Sequence, residues 1–158
     1  MAKVIFEERQ RFNQWWLWLI TIMVVGACVV SLFEKAEIEL SDLIQPGIVS
    51  GIMLFTLFGV NLKTRIDEHG IHVKMFPFHF SEVHYLWTDL NSVKVKKYSP
   101  LMDYGGWGVR GFGDDKAFNV RGSIGIKIQT TDGRTRMIGT QKEEEAKVAI
   151  KSHFSKEL

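Results

Sequence analysis

Four histidines, His69, His72, His79 and His84, fall within sixteen positions and form the densest set of metal ligands or proton carriers in the chain. A metal centre needs ligands that converge on one point, usually with carboxylates behind them. His69 reads as a turn residue and His72 as a strand residue, while His79 and His84 differ in strand parity, so no metal is expected. Gly106-Trp107-Gly108-Val109-Arg110-Gly111 matches G-x-G-x-x-G. That pattern holds a pyrophosphate only when a helix follows, and here Phe112 to Asp115 leads into another strand. Neither a nucleophile elbow nor an activated thiol is visible. The carboxylates Asp114, Asp115, Asp132 and Glu143 to Glu145 sit in turns or on a helix and read as solvated surface. No catalytic residue and no cofactor are expected. The candidate binding residues are Tyr104, Trp107, Arg110 and Arg121, on a glycine-rich excursion from Tyr104 to Val120. Aromatic rings with arginine typify interaction hot spots. A core role for Trp107 explains the same residues without a ligand.

The elements that must carry these residues come in two kinds. Trp15 to Phe33 is 19 residues without a charge, and Leu43 to Leu62 is 20 more, with Pro46 in its first turn. About 20 apolar residues cross a hydrocarbon core roughly 30 Å thick, and proline is tolerated where the first helical amides have no partner. Trp15, Trp16 and Trp18 cluster at one end, as indole rings do near headgroups. Only 96 residues follow Leu62, too little protein to bury two all-round apolar helices. Val25-Gly26-Ala27-Cys28 approximates a lipoprotein cleavage box, but the apolar run continues to Phe33, and Glu7 and Glu8 lie among the preceding basic residues. Two spans, 15–33 and 43–62, are therefore expected, in an N-terminal segment 1–62.

Lys3, Arg9 and Arg11 precede the first span, and Lys63 and Arg65 follow the second. The link between them holds Lys35 against Glu34, Glu37, Glu39 and Asp42. Basic flanks stay inside, which places both termini in the cytoplasm and the acidic link outside. Ala27 and Ser31, like Gly47 and Gly51, are small residues four apart, a spacing that lets helices approach closely in lipid. Either the pairs pack within one chain, or Gly47 and Gly51 join two copies or another membrane protein, or they are simply small.

From Lys63 the period changes to two. Ile71, Val73 and Met75, then Val93 and Val95, then Ile124, Ile126 and Ile128 alternate with polar residues or glycine, the mark of strands with one face on a core. Turn signals lie at Glu68-His69-Gly70, Ser99-Pro100 and Gly111 to Asp115. Asp132-Gly133 suits a type I′ hairpin. About seven short strands are expected. Thr140-Gln141-Lys142-Glu143 fits a capping box with Thr140 as N-cap. Ala146, Ala149, Ile150, His153 and Phe154 then form one helical stripe with Glu143–Lys147 as a solvated pair. One amphipathic helix closes a mainly β domain, 63–158.

Two spans followed by a short β sandwich with a C-terminal helix resemble the bacterial pleckstrin-homology-like (PH-like) membrane proteins. The likeness covers nearly the whole chain. It rests on Tyr104-Gly105-Gly106-Trp107-Gly108-Val109-Arg110, Ala117-Phe118-Asn119-Val120 and Ile138-Gly139-Thr140-Gln141-Lys142. It implies a fold and a topology but neither a reaction nor a ligand, since one scaffold hosts many sites. Inositol-lipid recognition would need basic residues after the first strand, where this chain has Asp67-Glu68-His69-Gly70.

A net charge of +2 argues against nucleic acid, and the lone Cys28 permits no internal disulfide. From Lys63 onward, 16 Lys and Arg face 12 Asp and Glu, a balance of +4. That favours contact with anionic headgroups, with Lys63, Arg65, Lys94, Lys96 and Lys97 as one candidate face. The expected role is non-enzymatic: a multi-pass protein of the inner membrane whose cytoplasmic domain binds a protein partner, its own copy or lipid headgroups. The alternatives are a ligand-sensing or enzymatic pocket at 104–121, and an accessory subunit of a larger membrane complex.

Overall fold

The computed structural model describes residues 4–12, 14–35, 37 and 39–154. It divides into two compact units, one of Arg11–Val60 and one joining the stretch up to Gln10 with everything from Asn61 onward. Of the basic residues flanking the spans, Lys3 lies outside the described residues.

The first unit is a pair of helices, α1 (Trp15–Phe33) and α2 (Leu40–Phe58), each long and apolar enough to cross a membrane. Trp18 on α1 meets Phe58 on α2 edge-on, with ring centroids 5.7 Å apart, so the start of one helix lies beside the end of the other. The bounds of α1 match those expected, whereas α2 begins and ends earlier than 43–62. Glu39 caps it, and its backbone N–H donates to Asp42 Oδ2 at 3.1 Å, a reciprocal box that recruits Leu40 to Asp42 into the first turn. Gly59 ends it, and from Asn61 the chain is already strand, with Leu62 wholly buried.

The second unit holds nine strands among the described residues, two more than the alternation suggests. They are β1 (Val4–Arg11), β2 (Asn61–Asp67), β3 (Gly70–Phe76), β4 (Val83–Leu86), β5 (Leu90–Lys97), β6 (Gly108–Phe112), β7 (Asp115–Asn119), β8 (Ile124–Thr130) and β9 (Thr135–Gly139). Helix α3 (Pro100–Tyr104) precedes β6, and α4 (Glu143–Lys151) follows β9. One sheet runs β1-β2-β3-β4 and the other β5-β8-β9-β7-β6. Most neighbours are antiparallel, but β7 lies parallel to β9. The excursion from Tyr104 to Val120 is thus a hairpin, β6–β7, added to the far edge of the second sheet. Gly111, at φ +93°, is required there, because a Cβ would lie 2.2 Å from the Asp115 carbonyl oxygen.

Alternation builds the core. Leu62, Ile66, Ile71, Val73 and Met75 come from the first sheet and Val93, Ile126, Ile128 and Ile138 from the second, all fully buried. Ala146, Ala149, Ile150 and Phe154 close one end, with Phe154 against Trp87 at 5.8 Å between ring centroids. His153 is exposed rather than on that stripe, because α4 ends at Lys151.

The largest departure from the 1–62 and 63–158 division is β1. The strand before the first apolar helix belongs to the β unit, with Phe6, Glu8 and Gln10 buried and their neighbours outward. Both of its buried polar side chains form hydrogen bonds, although Gln10 Oε1 has no partner among the described residues. Gln10 Nε2 donates to the Gly139 carbonyl at 2.7 Å. Glu8 accepts from Thr140 Oγ1 at 2.6 Å and from the Gln141 backbone N–H at 2.8 Å. Thr140 is therefore not the N-cap of α4; its hydroxyl serves Glu8, and the helix starts after Lys142. Outside, Glu7 pairs with Lys63 at 3.0 Å. The Glu143–Lys147 pair forms as expected, at 2.8 Å. The Asp132-Gly133 hairpin also forms, but with only Gly133 at positive φ. A type I′ turn needs positive φ at both central residues and is therefore excluded; Asp132 accepts from Thr130 Oγ1 and from the Arg134 N–H.

Candidate functional site

Of the residues chosen from sequence, Tyr104, Trp107 and Arg110 lie on one stretch that ends α3 and enters β6. Arg110 Nε donates to the Trp107 carbonyl at 3.0 Å, and Tyr104 donates to Asp115 Oδ1 at 3.1 Å. Burial first, then the Asp115 carboxylate, pushes the Tyr104 hydroxyl up to about 12, so it stays a donor. Arg121 lies beyond β7, exposed, with its carbonyl held by Gln141 Nε2 at 2.8 Å. Trp107 is half-buried. Much of the surrounding motif is joinery: Asn119 accepts from the Gly108 N–H at 3.0 Å, and Gly139 lies so near Asn119 that a Cβ would come within 3.1 Å of its side chain. What remains open is the β6 edge, where Phe112 is 95% exposed beside an exposed Arg110, with Met102 83% exposed on α3.

A second constellation, not anticipated from sequence, lies on the first sheet. The register pairs Arg65 with His72 across β2–β3, and His72 with His84 across β3–β4. Residues opposite each other in an antiparallel pair share a face, so the three side chains form one row. His72 is buried and its Nδ1 faces His84 Nδ1 directly. Its other ring nitrogen, Nε2, meets Asp67 Oδ1 at 2.9 Å. Asp67 is buried at the end of β2 and also accepts from the His69 and Gly70 backbone amides at 2.9 and 3.3 Å. Arg65 Nη2 lies 3.6 Å from both Asp67 Oδ2 and Glu82 Oε2. Glu82 shares the parity of His84, two residues on. His69 is exposed in the turn, and His79 lies elsewhere, packed edge-on against Phe118 at 4.9 Å between ring centroids. Burial holds the His79 imidazole below its usual value, with Lys116 adding to the effect. The signal available in the sequence was the twelve-residue separation of His72 and His84 across one hairpin; the comparison of His79 with His84 concealed it.

Burial raises the Asp67 carboxyl, but the hydrogen bond from His72 and those from the two amides outweigh it and hold the group below the ordinary carboxylate range. The sign follows from linkage. A depressed folded value gives stability that is complete above the unfolded value of about 3.9 and is lost as pH falls through the folded one. Unfolding free energy measured from pH 6 downward should fall below about pH 4, and Asp67→Asn should flatten that acid limb while lowering stability at neutral pH. An acid limb of unchanged steepness in the variant would assign the effect to other carboxylates.

Two clefts border the β unit. One, of about 440 Å³, is lined by His84, Tyr85, Asp89, Asp132, Arg134 and Arg136 among others. The second, of about 340 Å³, lies between Lys94, Val95, Lys147 and Lys151. Lys147 is already paired with Glu143 and Glu144, both at 2.8 Å, which leaves that surface less basic than its lysines suggest. In the helical unit, Gly47 and Gly51 have open space where a Cβ would stand, and Ala27 and Ser31 are exposed. Ser31 Oγ donates to its own helix, at the Cys28 carbonyl, 2.8 Å away. Neither protein-family models nor curated proteins yield a match to the chain.

Proposed function

We propose that this is a two-pass protein of a bacterial inner membrane, with both termini cytoplasmic and a PH-like β unit that recruits a protein partner rather than performing a reaction. The observation that carries the reading is the course of the chain. It leaves the β unit after Gln10, runs through α1 and α2, and re-enters it at Asn61. With both helices across a bilayer, the two connections emerge on one side. Arg9 and Arg11 before α1, with Lys63 and Arg65 after α2, select the cytoplasm for that side. The connectors are short: residues 12–14 between β1 and α1, and Gly59 with Val60 between α2 and β2. A domain held at both ends by so few residues stays at the membrane, which suits a docking platform.

The partner surface in this reading is the β6 edge with Arg110, Phe112 and Met102. A sheet edge presents unpaired backbone groups that an extended segment of another chain can complete, and an exposed aromatic beside an arginine supplies an anchor. Crosslinking in intact membranes, followed by detergent extraction and mass spectrometry, tests it. A defined partner should be captured by the wild type and lost with Phe112→Asp, while both proteins remain in the membrane fraction. Equal capture by the variant, or a lone monomer with no enriched partner, would remove the proposal.

A further inference from the structure

We propose that His72, His84 and Glu82 form a binding site for one divalent transition metal of the zinc class, with Asp67 as the residue that orients His72. The site is independent of the partner surface on β6. Its three side chains each offer one ligand atom, and these atoms lie within 4.8 Å of one another. Two imidazoles and a carboxylate are a ligand set that zinc(II) and its first-row neighbours accept, with a fourth position left for water.

Two observations beyond proximity support it. First, His72 is held as metal-binding histidines are held. Asp67 Oδ1 lies 2.9 Å from Nε2, and with the ring proton placed on that nitrogen Nδ1 faces His84 as a lone pair. Asp67 is itself fixed by two backbone amides in the β2–β3 turn, so the orienting group belongs to the fold and does not wander. Second, the two Nδ1 atoms face each other across the strand register. One proton shared between them accounts for the contact, and a cation that takes Glu82 as its third ligand would replace that proton. His84 is exposed and Glu82 half-exposed, which gives an ion an entry path and lets His84 rotate outward until the ligand atoms take tetrahedral spacing. Arg65 sits 3.6 Å from Glu82 and from Asp67, so it balances the carboxylates before binding and yields Glu82 when the metal arrives. With neutral imidazoles the two carboxylates and Arg65 sum to −1, a local charge that favours a dication.

The test uses the full chain purified in detergent, stripped with chelator and free of any affinity tag. Cobalt(II) is the spectroscopic probe, followed by displacement with zinc(II). The expected result is saturable one-to-one binding with the visible absorption of a tetrahedral cobalt site. His84→Ala, an exposed position whose loss leaves the core untouched, should abolish that spectrum without changing the circular dichroism. Asp67→Asn should weaken binding by about 10–100-fold, the usual range for an outer-sphere partner. His153→Ala, at an exposed histidine past α4, should bind as the wild type does. No saturable binding by the wild type, or the same spectrum in His84→Ala, would overturn the proposal.

Discussion

A chain in which a Gly/Ser linker replaces residues 12–60 is expected to fold as a soluble β domain, and the same chain lacking residues 1–11 is expected not to fold. The expectation comes from β1, which neighbours β2 in the first sheet although some fifty residues separate them along the chain. A linker of about fifteen residues reaches up to about 50 Å, more than enough to join strands of this length in either orientation. Without β1 the edge of β2 loses its ladder, and Phe6, 3% exposed, no longer fills its place. Burial of such a ring contributes about 1.5–3 kcal/mol. Adding the ladder and the bonds made by Glu8 and Gln10, the loss approaches the roughly 5–15 kcal/mol that a whole domain possesses. Size-exclusion chromatography without detergent, with circular dichroism, reads the outcome. A folded, monodisperse 61–158 fragment would show that β1 is an accessory.

Glu8→Ala should be the most damaging single polar substitution in the chain, at about 2–4 kcal/mol. Glu8 is 6% exposed, and its two oxygens serve the Thr140 hydroxyl and the Gln141 amide. Alanine leaves the buried Thr140 hydroxyl and the partly buried Gln141 amide without an acceptor, which costs more than the bonds themselves contribute. Glu8→Gln keeps one carbonyl oxygen and should recover about half of the loss. Glu7→Ala, one residue away and outward, removes only an exposed pair with Lys63, worth no more than about 1 kcal/mol. Denaturant unfolding followed by tryptophan fluorescence compares the three. Equal effects at Glu7 and Glu8 would contradict the account.

The elements written in repeating apolar patterns were legible in the sequence. The nineteen-residue helix α1, the alternations at β3, β5 and β8, and the stripe of α4 apart from His153 lie where the periods place them. The misses share one physical cause. Val4 to Arg11 alternates, but two of its inward residues are Glu8 and Gln10, whose hydrogen bonds go to partners more than 120 residues away. No local rule contains those partners. The His72–His84 pairing likewise depends on the β3–β4 register, which belongs to two strands together. The β6–β7 hairpin reads from sequence as a glycine-rich excursion because glycine-rich strands hide behind the conformational freedom of their residues. Thr140 carried a capping signature that a distant carboxylate overrode.

The stitching of β1 to the β9–α4 corner also dictates the order of events during synthesis. This strand is made early, yet its partners Gly139, Thr140 and Gln141 are made about 130 residues later. It must wait for those partners while both apolar helices and most of the β unit are made. With both helices spanning a bilayer as proposed, a chain that inserted only one of them would leave β1 on the opposite side from β9, and the sandwich could not close. On the proposed topology, completion of the sandwich thus requires that both helices insert.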